Sequence, residues 1–385
     1  MGGHVADIRF DGINQSGRIE QLRSDSTLAR LVDFSGGSRL AERGYETALF
    51  VQGAWSLGSS TTLDAGLRYD DATIARDGAL APRVAVTWKI ARQTTLSSSA
   101  GVFSDKVMLA TAAFPLFQSR LVSEFDTDGL PAGPARRFAN ILTGQLRMPR
   151  ADAWHLQLDR RFDNGLIARI AYQNRAGRYE PIVNTVLDRN GTEGSLVLSS
   201  TGRSRARSLE TTLGYRSSST TSQSIYVSYV RASSVGNLND FASVEGNFKD
   251  PFVEPDEVGP LRVDVPNRLL AWGLFKLPSR VTVAPFVEIR NGFPFSPIDD
   301  EWRFAGPRNA ARFPMFASVD LFVNKIVKLP VRLPLARVGL KFYNLTGAKN
   351  SRDIQRDIAR GDFGATYNPI PREIRGVFEL LWGKK

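Results

Sequence analysis

Few residues in this chain are equipped for covalent or acid–base chemistry. It has no cysteine and only two histidines, His4 and His155, far apart in sequence. Disulfides, thiolate nucleophiles and Cys-based metal sites are excluded, and a His-rich zinc centre or a Ser-His-Asp triad has almost no raw material. Asp126-Thr127-Asp128-Gly129 opens like a calcium loop, but no Glu follows at the required spacing, so a plain acidic turn is expected. Asp299, Asp300 and Glu301 form the best carboxylate cluster. Adjacent loop residues do not set two carboxylates across a substrate, which argues against hydrolysis. Asn190-Gly191-Thr192 and Asn344-Leu345-Thr346 match a glycosylation pattern that recurs by chance. No catalytic residue, metal or cofactor is expected, and the chain is not read as an enzyme.

Binding chemistry is better represented. Residues 104–150 carry Phe114, Phe117, Phe125, Arg147 and Arg150 besides the run Arg136-Arg137-Phe138. Residues 291–312 carry Phe293, Phe295 and Arg308 besides Trp302-Arg303-Phe304. Arginine beside aromatic rings can capture an anionic or planar ligand by stacking and bidentate hydrogen bonds. Arg136, Arg137, Phe138, Trp302, Arg303 and Phe304 are therefore the candidate ligand-binding residues. The formal net charge of +11 admits nucleic acid, an anionic membrane surface or an anionic ligand as partner. Nucleic acid is the weakest of the three, because Lys and Arg are spread along the chain with no basic helix and no aromatic RNA-binding signature. The densest basic cluster, residues 202–208 (GRSRARS), reads as a solvated strand end or loop.

The elements that must hold these residues follow a period of two. Leu63, Ala65, Leu67 and Tyr69 alternate with Asp64, Gly66, Arg68 and Asp70. Val84, Val86, Trp88 and Ile90 do the same, as do Trp154, Leu156 and Leu158 opposite His155, Gln157 and Asp159. Leu209 to Tyr215, Val338 to Phe342 and Ile374 to Trp382 repeat the pattern. Such alternation means strands with one apolar and one polar face, and no helical period competes. His155 is expected on the polar face. The fold class is all-β.

Connection lengths say what closes around these strands. Short turns fall near 58–60, 91–93, 163–165, 217–221, 277–280 and 328–334. Long connections near 71–81, 104–150, 175–205, 232–266, 291–312 and 345–371 alternate with them. Tight turns at one end and long loops at the other are the mark of an antiparallel transmembrane β-barrel, with short turns periplasmic and long loops extracellular. No run reaches the 18 or more apolar residues of a helical span, which leaves strand-type spans open. Tyr45, Tyr69, Trp88, Phe103, Tyr215, Phe286 and Trp382 near strand ends suit interfacial girdles. We count about thirteen strands from residue 45 onward and three weaker ones in 4–34, a near-total of about 16. The start, MGGHVADIRF, lacks signal-peptide features, so an exported protein is expected to begin upstream.

Several segments resemble the C-terminal barrel of TonB-dependent receptors, in the branch with a carboxypeptidase-regulatory-like N-terminal domain. ALFVQGAWSLGSSTTLDAGLRYD (48–70) resembles a family hairpin, with Gly53 in place of the usual acidic residue. LAPRVAVTWKI (80–90), VEIRNGFPFSP (287–297), ASVDLFVNKIVKLP (317–330) and LKFYNLTGAKNSRDIQ (340–355) resemble later strands in the family's order. IPREIRGVFELLW (370–382) resembles its closing strand, although Gly383-Lys384-Lys385 follow.

The resemblance implies that residues 1–385 are the C-terminal portion of a barrel of 22 strands, about 13–16 of them here, with the plug domain absent. It implies an outer-membrane receptor that imports a scarce nutrient of the siderophore, cobalamin or oligosaccharide class, driven by the TonB complex through the plug. A passive porin of about 16 strands and a surface β-protein with a binding role are the alternatives. Implied partners are outer-membrane lipid and lipopolysaccharide, TonB, the outer-membrane assembly machinery, and a small-molecule or oligosaccharide ligand. The last strand, with Ile374, Gly376, Phe378, Leu380 and Trp382, is the implied assembly signal. The loop arginines have a second possible use, pairing with lipopolysaccharide phosphates or with acidic residues of a plug.

Overall fold

The computed structural model describes residues 1–36, 38–75, 77–217, 223–239, 256–329 and 335–381. The strands in chain order begin with β1 (Gly2–Asn14), β2 (Ile19–Leu22), β3 (Leu28–Ser35), β4 (Ser38–Leu57), β5 (Thr61–Ala72), β6 (Ala79–Ala91) and β7 (Thr94–Ser104). They continue with β8 (Ser119–Glu124), β9 (Arg136–Leu142), β10 (Arg150–Arg161), β11 (Leu166–Leu187), β12 (Glu193–Arg216), β13 (Ser224–Gly236) and β14 (Gly259–Pro260). The rest are β15 (Asn267–Leu277), β16 (Val281–Arg290), β17 (Pro294–Phe295), β18 (Ala311–Arg312), β19 (Phe316–Lys328), β20 (Leu335–Tyr343), β21 (Ser351–Ile354), β22 (Thr366–Pro369) and β23 (Glu373–Leu381).

Among the described residues, nineteen strands share one sheet. Setting aside β2, β3, β8, β9 and the two-residue β14 leaves a wall of fourteen, each antiparallel to the next: β1, β4, β5, β6, β7, β10, β11, β12, β13, β15, β16, β19, β20 and β23. Thirteen of these start from residue 38 onward, and the three weak strands expected in 4–34 are β1, β2 and β3. Only β1 enters the wall, so the wall has fourteen strands where the sequence pointed to about sixteen. β2 and β3 are too short to span a bilayer and belong to a loop.

The register confirms which face is which. Leu63 lies opposite Val86, Trp88 opposite Leu96, Leu158 opposite Ile170 and Val338 opposite Phe378, so apolar side chains form a continuous exposed band. The other face carries Asp64, His155 and Gln173 in one row and Lys89, Asp159, Arg169 and Thr212 in another. Polar groups there satisfy one another: Arg169 Nε donates to Asp159 at 2.7 Å, and Ser228 Oγ to Glu210 at 3.0 Å. Leucines and tryptophans that would ruin a soluble surface are thus spent on lipid, and the inner face stays wet. Tyr45, Tyr69, Trp88 and Tyr215 lie on the outer face as girdle residues should. Phe103 and Phe286 do not. Phe103 takes Arg83 over its ring on the inner face, and Phe286 pairs across the strands with Trp272 and Asp320 there. Trp382 lies outside the described residues.

Short turns at 58–60, 92–93, 162–165 and 278–280 all occupy one end of the wall. Gly58 (φ 74°) and Gly165 (φ 86°) supply the left-handed backbone that two of these turns need. The turns expected at 217–221 and 328–334 fall largely outside the described residues.

At the other end the chain builds a second layer. The stretch 175–205 is not a loop but a continuation of the β11–β12 ladder, closed by a tight turn at 188–192. Its register shifts around Glu180, next to Tyr179 at φ 61°, which bends the ladder as it leaves the wall. β2, β3, β8 and β9 form a small sheet whose last strand runs parallel to β12, Arg137–Leu142 against Glu193–Leu198. The dry core sits in this layer, where Val107, Phe114, Leu146, Val183, Leu196 and Leu198 pack together.

Candidate ligand-binding site

Two of the six residues singled out in the sequence, Arg136 and Arg303, act on one carboxylate, Glu124 at the end of β8. Arg136 donates to its Oε2 at 2.5 Å and Arg30 to its Oε1 at 3.1 Å. Arg30 also reaches the carbonyl of Trp302 at 3.4 Å. Burial pushes the Glu124 carboxyl up, but Arg136, Arg30 and Arg303 outweigh it and hold the group below its usual range. Phe138 packs with Val32 and Val122 in a small core, while Arg137 stays exposed. Trp302, at φ 58°, donates its indole N–H to Leu22 O at 3.0 Å, and Phe304 forms a β-bridge with Ile298. The structure therefore brings the two groups together, with most of their polar reach spent on joining loops.

The same junction uses the carboxylate cluster. Arg23, 4% exposed, forks onto Glu301 at 2.8 and 3.0 Å and donates to the carbonyls of Leu28, Phe125 and Asp126. Asp300 accepts from the Ser24 backbone, and Asp299 caps its own turn by accepting from the N–H of Glu301 and Arg303. Asp126 accepts from the N–H of Asp128 and Leu130, the plain acidic turn expected. Asn344 is buried, its amide bonded to Ala348 O and Ile370 O. His155 lines a small inner-face hollow with Asp64 and Gln173.

A different set of residues encloses empty space. Behind β17 and β18, a cavity of about 490 Å³ is lined by segments from four separate parts of the chain. Its cations are Arg262, Arg290, Lys349, Arg352 and Arg356, its rings Phe293, Phe295, Phe313 and Phe316, and no carboxylate is among its lining residues. Arg290, on the inner face at the end of β16, sits 4.3 Å from the centres of both Phe293 and Phe316. Glu288 holds its Nε at 3.3 Å. Phe295 and Phe313 meet edge to face at 5.6 Å, which fixes the cavity's apolar side. An adjoining inner-face cavity of about 650 Å³ shares Arg290 and Phe293 and adds Arg175 and Arg268. A third, about 700 Å³, lies under residues 103–117, with apolar walls and Lys106, Arg150 and Arg175 beside Asp105 and Glu180.

Phe293 and Phe295 were visible in the sequence as loop aromatics. Arg262, Lys349, Arg352 and Arg356 were not, because nothing local links 262 or 349–356 to 290–296. Their signal is the Arg-Asn-Gly-Phe-Pro-Phe-Ser run (290–296), which reverses the chain at the head of β16.

Residues 10–104 match the family model for the TonB-dependent receptor-like β-barrel. The fold of this chain is of the TonB-dependent receptor barrel type. Solved structures agree on the fold. The outer membrane transporter YddB of Escherichia coli superposes with a TM-score of 0.64 at 13% identity, over 97% of this chain and 50% of that one. The FrpB iron transporter of Neisseria meningitidis gives 0.57 at 13%, over 97% and 54%. The ferric enterobactin receptor PfeA of Pseudomonas aeruginosa, as a mutant, gives 0.58 at 12%, over 98% and 53%. This chain spans about half the length of these structures. A search of curated proteins found no match. TonB-dependent receptor barrels reside in the outer membrane of Gram-negative bacteria, so the exposed apolar band of β4 to β23 is its lipid-facing surface.

Proposed function

We propose that this chain forms the ligand-capturing barrel portion of a TonB-dependent outer-membrane transporter, and that its cargo is a small anion carrying flat rings. The observation that carries this reading is the cavity behind β17 and β18, with five cations, four phenylalanines and no carboxylate among its lining residues. A site of that composition favours a multiply charged anion, and the Arg290 guanidinium packed against two rings adds a positive charge at a fixed position. Its size suits a small molecule better than an oligosaccharide chain. The ferric siderophore class fits this chemistry, and PfeA, one of the similar folds, is a ferric enterobactin receptor. Energy from TonB would act through a plug, an element outside these residues; the cargo itself undergoes no chemistry in this scheme.

The test is ligand binding to the protein purified from outer membranes, with ferric enterobactin as probe and cobalamin and maltohexaose as comparators. Ferric enterobactin should bind, and Arg352→Ala with Arg356→Ala should weaken it by about tenfold or more. Binding of the neutral comparators alone, or indifference to the double substitution, would overturn the anionic-cargo reading.

A further inference from the structure

The cavity of about 700 Å³ under residues 103–117 shares no lining residue with the proposed cargo cavity, and its make-up is different. It is enclosed by the end of β1, the start of β4, the segment that follows β7, the start of β10 and the bend of β11. Phe10, Leu40, Phe103, Val107, Phe117 and Leu238 give it apolar sides. Leu40 and Val107 are buried. Ile13 and Met108 line the same space while 80% and 54% exposed, so the apolar surface runs out to a mouth.

Most charged groups along this cavity are answered within the fold. Lys106 pairs with Glu46, and Arg150 donates to the carbonyl of Gly78 at 2.8 Å. Asp105 accepts from the N–H of Lys106 at 2.8 Å, and Glu180 from Ser204 Oγ at 3.1 Å. Arg175 is the exception, with no hydrogen bond or ion pair among the described residues. Burial pushes the Glu180 carboxyl up, with Ser204 and Arg175 acting against it. Its Oε2 and the Nε of Arg150, both shut off from water, have no hydrogen-bond partner among the described residues. An apolar cavity with a few convergent polar groups, one of them a shifted carboxyl, has the composition of a small-molecule site.

We propose that this cavity binds a fatty acid, a single apolar chain ended by one carboxylate. The chain enters past Met108 and Ile13 and lies among the apolar walls, and Arg175 takes the carboxylate. A guanidinium fork matches a carboxylate in a bidentate pair, and Arg175 has no competing partner to give up. One unmatched cation calls for one negative charge. A multiply charged anion, the cargo proposed for the other cavity, would here meet Asp105 and Glu180 as well. The two sites have separate walls, so either can fail without the other.

The experiment titrates hexanoate, octanoate and decanoate, below their micellar concentrations, into the protein purified from outer membranes and held in amphipol. Decylamine and decanol are the comparators. Decanoate should bind tightest, with affinity rising about fourfold per added methylene. Arg175→Gln should weaken decanoate by about tenfold or more and leave decanol unchanged, and Arg175→Lys should restore part of the loss. Ala110→Trp, which fills the cavity, should abolish decanoate binding. Arg352→Ala with Arg356→Ala, the pair that tests the cargo reading, should leave it as it was. Heat-modifiable migration on gels confirms that each variant is a folded barrel. Tighter binding of decylamine would overturn the assignment by moving the anchor to Asp105 and Glu180. Equal binding of decanol, a flat chain-length series, or indifference to Arg175→Gln would overturn it too.

Discussion

Glu124 and Arg23 show how side chains remote in sequence become structural. Arg23 is buried and forks onto Glu301, so Arg23→Ala leaves three carbonyls and a carboxylate short of a donor. Its loss should cost about 2–4 kcal/mol, taken from the loop layer and not from the wall. Limited proteolysis should then cut near 299–303 while the barrel still migrates as folded. Glu124 adds a pH dependence. Its carboxyl is held below the usual glutamate range by Arg136, Arg30 and Arg303 against the opposing effect of burial. A lowered carboxylate contributes stability that is complete above its unfolded value of about 4.3 and is lost as pH falls through the lower folded value. Protease sensitivity of 119–142 should therefore rise in that acid window and stay flat from pH 5 to 8. Glu124→Gln should remove the acid step; a step that survives it would assign the transition to another group.

At the scale of elements, the wall was legible because one strand meets two solvents and writes both into a two-residue period. Leu158 and Gln157 are neighbours in sequence, yet Leu158 faces lipid and Gln157 the inner face beside Asp159. Leu158→Arg should cost about 2–4 kcal/mol and impair assembly, while Gln157→Arg should be tolerated. Outer-membrane yield of the two variants checks this, and equal yields would mean that neither face meets lipid. Phe103 and Phe286 were misplaced because an aromatic near a strand end signals depth, while only register tells the face. The outer sheet was harder still. β9 pairs in parallel with an extension of β12 more than fifty residues away, and no local pattern specifies a partner at that distance. The pairing of the last strand in the chain with the one before it in the wall also follows the sequence pattern. Ile374 and Phe378 of β23 are each 65% exposed on the lipid side, against Phe342 and Val338 of β20. Deleting 371–385 should abolish insertion and Phe378→Asp should mimic it; normal insertion of either would remove β23 from the role of assembly signal.

For the whole molecule, the asymmetry between the two ends makes a cellular prediction. Tags placed within 104–150 or 345–371 should be reached by antibody on intact cells, and tags at 58–60, 163–165 or 278–280 only after permeabilisation. Labelling of the short-turn set on intact cells would invert the topology. The cargo cavity belongs to this scale too, since its walls come from segments near 262, 290–296, 313–316 and 349–370. Those residues are adjacent only because consecutive hairpins lean together at the rim, which is why composition suggested an anion but spacing could not say where it binds.

The ladder bend beside Tyr179 sets the mechanics of that rim. β11 and β12 cross it as continuous strands, and β9 is fastened in parallel above it. The outer sheet is thus joined to the wall through a ladder whose register breaks on both sides of Glu180, between Arg178 and Ile182. Load applied to the outer sheet would pass through that joint on its way to the wall. Such a geometry lets the outer sheet yield at that joint while the antiparallel wall below it keeps its pairing.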